Sequence, residues 1–423
     1  MKEDFLHYVW KFQKFNTATL TTTSGDTIQV IRVGMHNHNS GPDFFNGQVL
    51  IGGQKWAGNI EIHIKSSDWF AHRHEIDPAY DNVILHVVWE HDVEVYRKDG
   101  TAIPTVILKP LIPTEILNAY HTLFKKDQKW IGCQQRFHEV DDLTMNNWIE
   151  RLYIDRLQRK SELMMHRLKE LNNHWEALLF EMLAKSFGLK VNGEAFLSIG
   201  QSINFSVVQK CRKEPETLEA LLMGQAGFFN SENDDPYFES QKENYKFLLR
   251  KFQLDATSVI IPKYFRLRPP NFPTIRLSQL ANLYHQKQAL FSEIMNVNNS
   301  SQMYEVFKIS ALPYWGSHYN FGVTSAKNKR VLTKKFIDLL IINTILPLRF
   351  CYDSHLGKDD TETLFTMAQQ ISAENNSITK KFNDLRPIAK NAMDSQGLLQ
   401  LKNEYCNAMK CLQCAVGNQL LKA

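Results

Sequence analysis

No apolar run in the 423 residues reaches the roughly 18 that a membrane-spanning helix needs. The nearest candidate, residues 336–345, contains Asp338 and meets Pro347 two residues on. The chain opens on Met-Lys-Glu-Asp and an amphipathic stretch. A secretory signal would show a basic start and an apolar centre instead, so a cytoplasmic location is expected. Charge of one sign is lacking too: 49 Lys and Arg against 45 Asp and Glu leave +4, too mild to announce a nucleic-acid partner. Internal repeats, coiled-coil heptads and low-complexity tracts are missing. Cysteine is scarce, six in all, and in a reducing compartment thiols are free, metal-bound or redox-active rather than paired. What remains is 43% hydrophobic and 22% charged, the balance of a globular chain long enough for two or three domains.

The pattern of apolar residues divides the chain. Residues 3–15 place Phe5, Val9, Trp10 and Phe12 near one helical face. Ser24-Gly25-Asp26 and Gly52-Gly53 each separate two strand-like runs and predict hairpins. A third hairpin is expected across 97–101, and the nearly all-apolar 82–89 reads as a central, doubly buried strand. From about Asp141 the spacing becomes helical, with helices expected over 143–171, 175–187, 215–223, 241–252, 277–295, 334–345, 360–371 and 397–415. Residues 262–274 hold four prolines and read as irregular. The expectation is an α+β protein: a mixed α/β domain over residues 1–130, then a mainly helical region over 131–423 that carries the C-terminal cysteines.

Polar information is concentrated between residues 36 and 92. Seven of the fifteen histidines fall there: His36, His38, His63, His72, His74, His86 and His91. Scatter in proportion to length would give about two. In the same window Gly41-Pro42-Asp43 precedes one strand of the second hairpin, and Glu61-Ile62-His63 lies on the other. Residues 59–65 alternate, with Glu61, His63 and Lys65 on one face and three isoleucines on the other. Carboxylates from separate segments suit a hard cation, and a basic neighbour can orient water or stabilise a phosphoryl transition state. Asp43 and Glu61 are therefore candidate ligands of Mg²⁺ or Mn²⁺, with His63 or Lys65 as the third catalytic group. A strand with one solvated face alternates in the same way.

The order of helix, strands, Pro-Asp, hairpin, Glu-x-basic and hydrophobic strand resembles the restriction-endonuclease-like superfamily. Its signature is Pro-Asp, a gap, then (Asp/Glu)-x-Lys. Pro42-Asp43 and Glu61-x-His63 match it, with His63 where the lysine would stand. The resemblance covers about residues 1–110 and implies a metal-dependent nuclease acting on nucleic acid. The chain as a whole is similar to a bacterial family known as domain of unknown function 2851. That likeness is carried by Gly41-Pro-Asp-Phe, Asn59-Ile-Glu-Ile-His, Ser66-Ser-Asp-Trp, His72-Arg-His, Glu219 to Gly227, Asn271 to Arg276 and the C-terminal cysteines. It implies no particular activity.

Three further groups carry chemistry. Asp68, His72, His74 and Asp77 have the residue types of substrate contacts, and His72-x-His74-x-x-Asp77 also those of a transition-metal hydrolase, or of a plain polar loop turning at Asp77-Pro78. His86, set among apolar residues, reads as a core histidine. Cys406-x4-Cys411-x2-Cys414 suits an iron–sulfur cluster or Zn²⁺, with a fourth ligand from elsewhere, Cys133 ahead of Cys351 and Cys211. A plain alternative places Cys411 and Cys414 on one face of a helix. Lys263, Arg266, Arg268 and Arg276 interleave with aromatics, so Arg266 and Arg268 are candidate phosphate contacts; the plainer reading is a proline-rich segment whose arginines cap helix C-termini or pair with carboxylates. The expected function is a metal-dependent phosphodiesterase. The alternatives are a non-catalytic nucleic-acid-binding or scaffold protein, or the transition-metal hydrolase.

Overall fold

The computed structural model describes residues 1–37, 40–125 and 129–421; His38 lies outside them. Its contacts divide the chain into a first unit, Met1–Trp148 with Leu401–Ala423, and a second, Ile149–Gln400. This differs from the linear division expected at residue 130. The last residues return to the first unit, where Leu421 is buried in the N-terminal core and Arg136 Nη1 donates to the Leu420 carbonyl at 3.2 Å.

In the first unit, helix α1 (Glu3–Lys11) leads into strands β1 (Ile28–Arg32), β2 (Met35–His36), β3 (Phe44–Ile51), β4 (Gln54–Lys65), β5 (Val83–Glu90) and β6 (Thr105–Ile107). Helix α2 (Asp68–Ala71) lies between β4 and β5, and α3 (Thr114–Phe124) follows β6. The sheet runs β1-β3-β4-β5-β6, with β2 also beside β3. The Gly52-Gly53 hairpin forms as expected, with Ile51 facing Gln54. Phe12 does not join the helical face: α1 stops at Lys11 and Phe12 is exposed, while Phe5, Leu6, Val9 and Trp10 are buried.

Strand β5 is the expected central strand, paired in parallel with both β4 and β6. The hairpin expected across 97–101 shrinks to a single bridge, Tyr96 with Ala102, because Thr105–Ile107 spends its hydrogen bonds on β5. A parallel pair cannot close through a tight turn and needs a crossover. The β4–β5 crossover carries α2 and a short 3₁₀ turn, Pro78–Tyr80. It buries Trp69 and Tyr80 in a small core with Val83, Val95 and Ile103.

The second unit is helical, with one short two-stranded sheet, His318–Asn320 with Val323–Thr324. Trp175–Phe187, Pro215–Gln225 and Pro273–Gln286 pack around one core that includes Phe180, Tyr284 and Trp315. The proline-rich stretch stays irregular up to Pro273, which opens a helix as its first residue, where the missing N–H has no intrahelical partner to lose. The expected helix over 397–415 is broken. Ala392–Gln400 passes into a π turn, Leu401–Cys406, then a 3₁₀ turn, Cys411–Gln413, and a last helix, Ala415–Leu420. Cys411 and Cys414 therefore do not share a helical face.

Pro347 does not end the helix before it. Lys334–Leu340 widens into a π turn, Ile341–Ile345, and continues as Leu346–His355. Proline offers no N–H to the carbonyl four residues back, that of Asn343. Lys160 Nζ donates to that carbonyl instead, at 3.1 Å. Lys160→Met is expected to lower stability by about 1 kcal/mol, the cost of leaving a half-buried acceptor without its donor. Pro347→Ala, which returns an N–H, should recover part of the loss; purely additive urea-denaturation values for the pair would exclude the coupling.

Candidate metal centre

Three segments meet on the polar face of β4: β4 itself, the crossover and α1. Glu61 and His63 both point to that face, yet it is not solvated, since Glu61 is 4% and His63 1% exposed. The crossover accounts for this. After α2 the chain reverses through Arg73, whose φ of 62° is left-handed. The Arg73 N–H bonds the Phe70 carbonyl and the His74 N–H bonds the Trp69 carbonyl, the double closure of a Schellman cap. That reversal sends His72 and His74 back over β4. The His74 ring is fixed by stacking on Tyr80 at 3.7 Å between centroids and by the edge of Trp69.

The resulting distances are short. His72 Nδ1 lies 3.2 Å from His63 Nε2. Glu61 Oε1 lies 3.5 Å from His63 Nε2 and 3.3 Å from His74 Nε2. The three imidazoles each offer a nitrogen within 4.8 Å of the others and could hold a metal ion. Behind them, His63 Nδ1 meets His86 Nε2 at 2.8 Å. His86 is thus a buried partner that orients His63, although its own Nδ1 has no partner among the described residues.

Asp43 joins through the backbone. Its N–H donates to Glu61 Oε2 at 3.1 Å, and its Oδ2 accepts from the Ile62 N–H at 3.0 Å. Helix α1 adds two residues that the sequence did not single out. His7 Nε2 lies 3.2 Å from Asp43 Oδ2, and Glu3 is close enough to feel both carboxylates. Their spacing of one helical turn was a visible signal, hidden because α1 was read only for its apolar face.

The electrostatics are those of a site that has electron pairs to share. Burial, with Asp43 nearby, pushes the Glu61 carboxyl up to about 9. Burial and Asp43 likewise push Glu3 up to about 7. Burial, with His86, His74 and His72 around it, pushes His63 down to about 2. Burial lowers His74 and takes His86 down to about 3. Burial opposes protonation of His7 too, but its bond to Asp43 and the surrounding acids outweigh that and raise it. Each of these shifts runs towards the uncharged form, the protonated acid at Glu61 and the neutral imidazole at His63, His74 and His86.

The remaining candidates lie elsewhere. Lys65 is exposed and its ammonium makes no ion pair among the described residues; the Lys65 N–H instead donates to Asp68 Oδ2 at 2.9 Å, so Asp68 shapes the turn into α2. Asp77 caps the 3₁₀ turn through the Ala79 N–H and is not part of the three-imidazole group. His36 stacks on Phe44, and His91 pairs with Glu94. Arg266 and Arg268 are exposed in the second unit, Arg266 over the Phe265 ring. Arg276 is buried, 3.6 Å from the Phe336 ring centroid, and bonds Gln279 and Asn271. It is a core brace and not a surface cation. Cys133, Cys406, Cys411 and Cys414 do come together, lining one pocket of the first unit.

The family profile described as "Protein of unknown function (DUF2851)" matches residues 3–377. The chain belongs to this family. The DUF2851 match spans both the histidine centre and most of the helical unit, but it ends before Cys406, so the C-terminal cysteines lie outside it. No curated protein and no solved structure matches the chain. Among the described residues, no helix is long and apolar enough to cross a membrane.

Proposed function

We propose that Glu61, His63, His72 and His74 bind a divalent transition-metal ion and that the centre hydrolyses phosphodiester bonds in nucleic acid. The observation that carries the metal reading is the convergence of three imidazoles, each with a nitrogen within 4.8 Å of the others, beside Glu61 Oε1 at 3.3 Å from His74 Nε2 and 3.5 Å from His63 Nε2. A tetrahedral ion with bonds of about 2.0–2.1 Å needs donors about 3.3–3.4 Å apart. Three imidazoles and one carboxylate favour Zn²⁺ or Mn²⁺ over Mg²⁺, which prefers oxygen. Such an ion would lower the pKa of a coordinated water and polarise a phosphoryl oxygen. Asp43, paired with His7, supplies a carboxylate–imidazole couple that can hold a proton beside it.

The phosphodiester reading is supported by placement. Asp43 precedes β3, Glu61 sits on the next strand of the same hairpin, and a buried parallel strand follows. That order is similar to the restriction-endonuclease-like plan, with an imidazole in the lysine position. The test is cleavage of labelled single- and double-stranded DNA and RNA by the Zn²⁺- or Mn²⁺-loaded protein. Activity should fall at least about 100-fold in Asp43→Asn, in keeping with the typical worth of a proton-transfer group. A metal-loaded protein that binds nucleic acid but cleaves nothing in the panel would leave a non-catalytic binding or scaffold role.

A further inference from the structure

The first unit holds a second cluster of ligand-type side chains, separate from the histidine centre. Cys133 and the C-terminal Cys406, Cys411 and Cys414 are more than 270 residues apart in sequence, yet all four line one pocket. Its other walls are largely apolar, from Leu123, Ile131, Phe137, Leu401 and Val416. Two glycines permit the approach. A Cβ on Gly132 would meet the Leu123 carbonyl at 2.5 Å and the Cys411 sulfur at 3.6 Å, and one on Gly417 would meet the Cys411 carbonyl at 2.0 Å.

Cys414 is surrounded by donors. The backbone N–H groups of Val416 and Gly417 and the indole of Trp148 face its sulfur. The Trp148 Nε1 is buried and has no hydrogen-bond partner among the described residues. Converging N–H groups suit a thiolate and are common around metal-bound sulfur. A neutral thiol in an apolar pocket has little need of them.

The spacing of the sulfurs decides what they hold. A single Zn²⁺ with bonds of about 2.3 Å would draw four sulfurs to about 3.8 Å from one another. Among the described residues, the three imidazoles lie within 4.8 Å of each other, but no three of these cysteine sulfurs do. Sulfurs set farther apart than one ion would draw them match the ligands of a polynuclear group.

We infer that Cys133, Cys406, Cys411 and Cys414 ligate an iron–sulfur cluster that clasps the C-terminal segment onto the first unit. The full-length chain, purified without oxygen, should be brown and contain iron and acid-labile sulfide in equal amounts, about two or about four per chain. Cys133→Ser and Cys406→Ser should each lose most of the iron and sulfide, while Cys211→Ala, altered in the second unit, retains both. His74→Ala should retain them too, which separates this cluster from the histidine centre. About one zinc per chain without sulfide, or four thiols that titrate freely in metal-free protein, would overturn the inference. Should the cysteine variants fail to fold, the sulfide content of the unaltered chain still decides.

Discussion

His63→Ala and His74→Ala are each expected to weaken binding of Zn²⁺ or Mn²⁺ by more than about 100-fold. Removing an outer partner of a metal ligand typically lowers affinity by about 10–100-fold, and a direct ligand should exceed that. His86→Phe supplies the comparison, because His86 Nε2 meets His63 Nδ1 at 2.8 Å and stands behind the imidazole group. Its effect should fall within that smaller range. Equal losses in all three variants, measured by competition with a chromogenic chelator, would mean that His63 and His74 are not ligands.

The pH dependence of binding follows from Glu61. Its proton must leave before the carboxylate can ligate, and burial with Asp43 keeps that proton on up to about pH 9. His63, driven down by burial, is already neutral. Association should therefore strengthen roughly tenfold per pH unit below about 9, with release of about one proton. The metal-free protein should show the complementary trend. A carboxyl whose folded pKa is raised contributes stability that is complete below its ordinary 4.5 and is lost as pH rises towards 9. Added metal should consequently raise the melting temperature more at pH 8 than at pH 6. A binding constant that does not change over pH 6–8 would count against Glu61 as a ligand.

The second large effect is expected in the helical unit. Glu219 is fully buried, and its carboxyl accepts the Tyr237 hydroxyl at 2.5 Å and the Trp315 indole N–H at 2.8 Å. Glu219→Ala leaves both donors unpaired and opens a cavity, so a loss of about 3–5 kcal/mol is expected. Burial pushes this carboxyl up to about 7 despite its donors. The folded state thus prefers the protonated acid. Its contribution is complete below about 4.5 and declines by roughly 3 kcal/mol as pH passes 7. Glu219→Gln keeps the acceptor but cannot ionise, so its stability should change less between pH 4.5 and 7.5. Urea midpoints that fall in parallel for the two proteins would show that Glu219 does not titrate in this range.

Much of the local structure was legible from residue order. The Gly52-Gly53 hairpin, the apolar strand after Asn82 and the helix over Trp175–Phe187 follow from turn chemistry and periodicity. These are short-range properties. Where expectation and structure diverge, the cause is a contact distant in sequence. Lys160 takes the carbonyl that Pro347 leaves open, so the helix runs on. Arg276, one of four cations interleaved with aromatics, is claimed by the Phe336 ring and Asn271.

The candidate site divides in the same way. The residue order by itself placed Asp43, Glu61 and most of the clustered histidines in one stretch of the first domain, and offered three C-terminal cysteines with Cys133 as the first candidate for a fourth ligand. It could not determine which of them converge. Alternation along β4 says that Glu61, His63 and Lys65 share a face, but not that the parallel crossover buries the first two and leaves the third in solvent. Nor does it show that a left-handed Arg73 returns His72 and His74 to Glu61, or that α1 brings Glu3 and His7 alongside. The physical reason is range. Propensity and periodicity act over a few residues, whereas a ligand set is defined by distances of about 3 Å between segments joined only through the packed core.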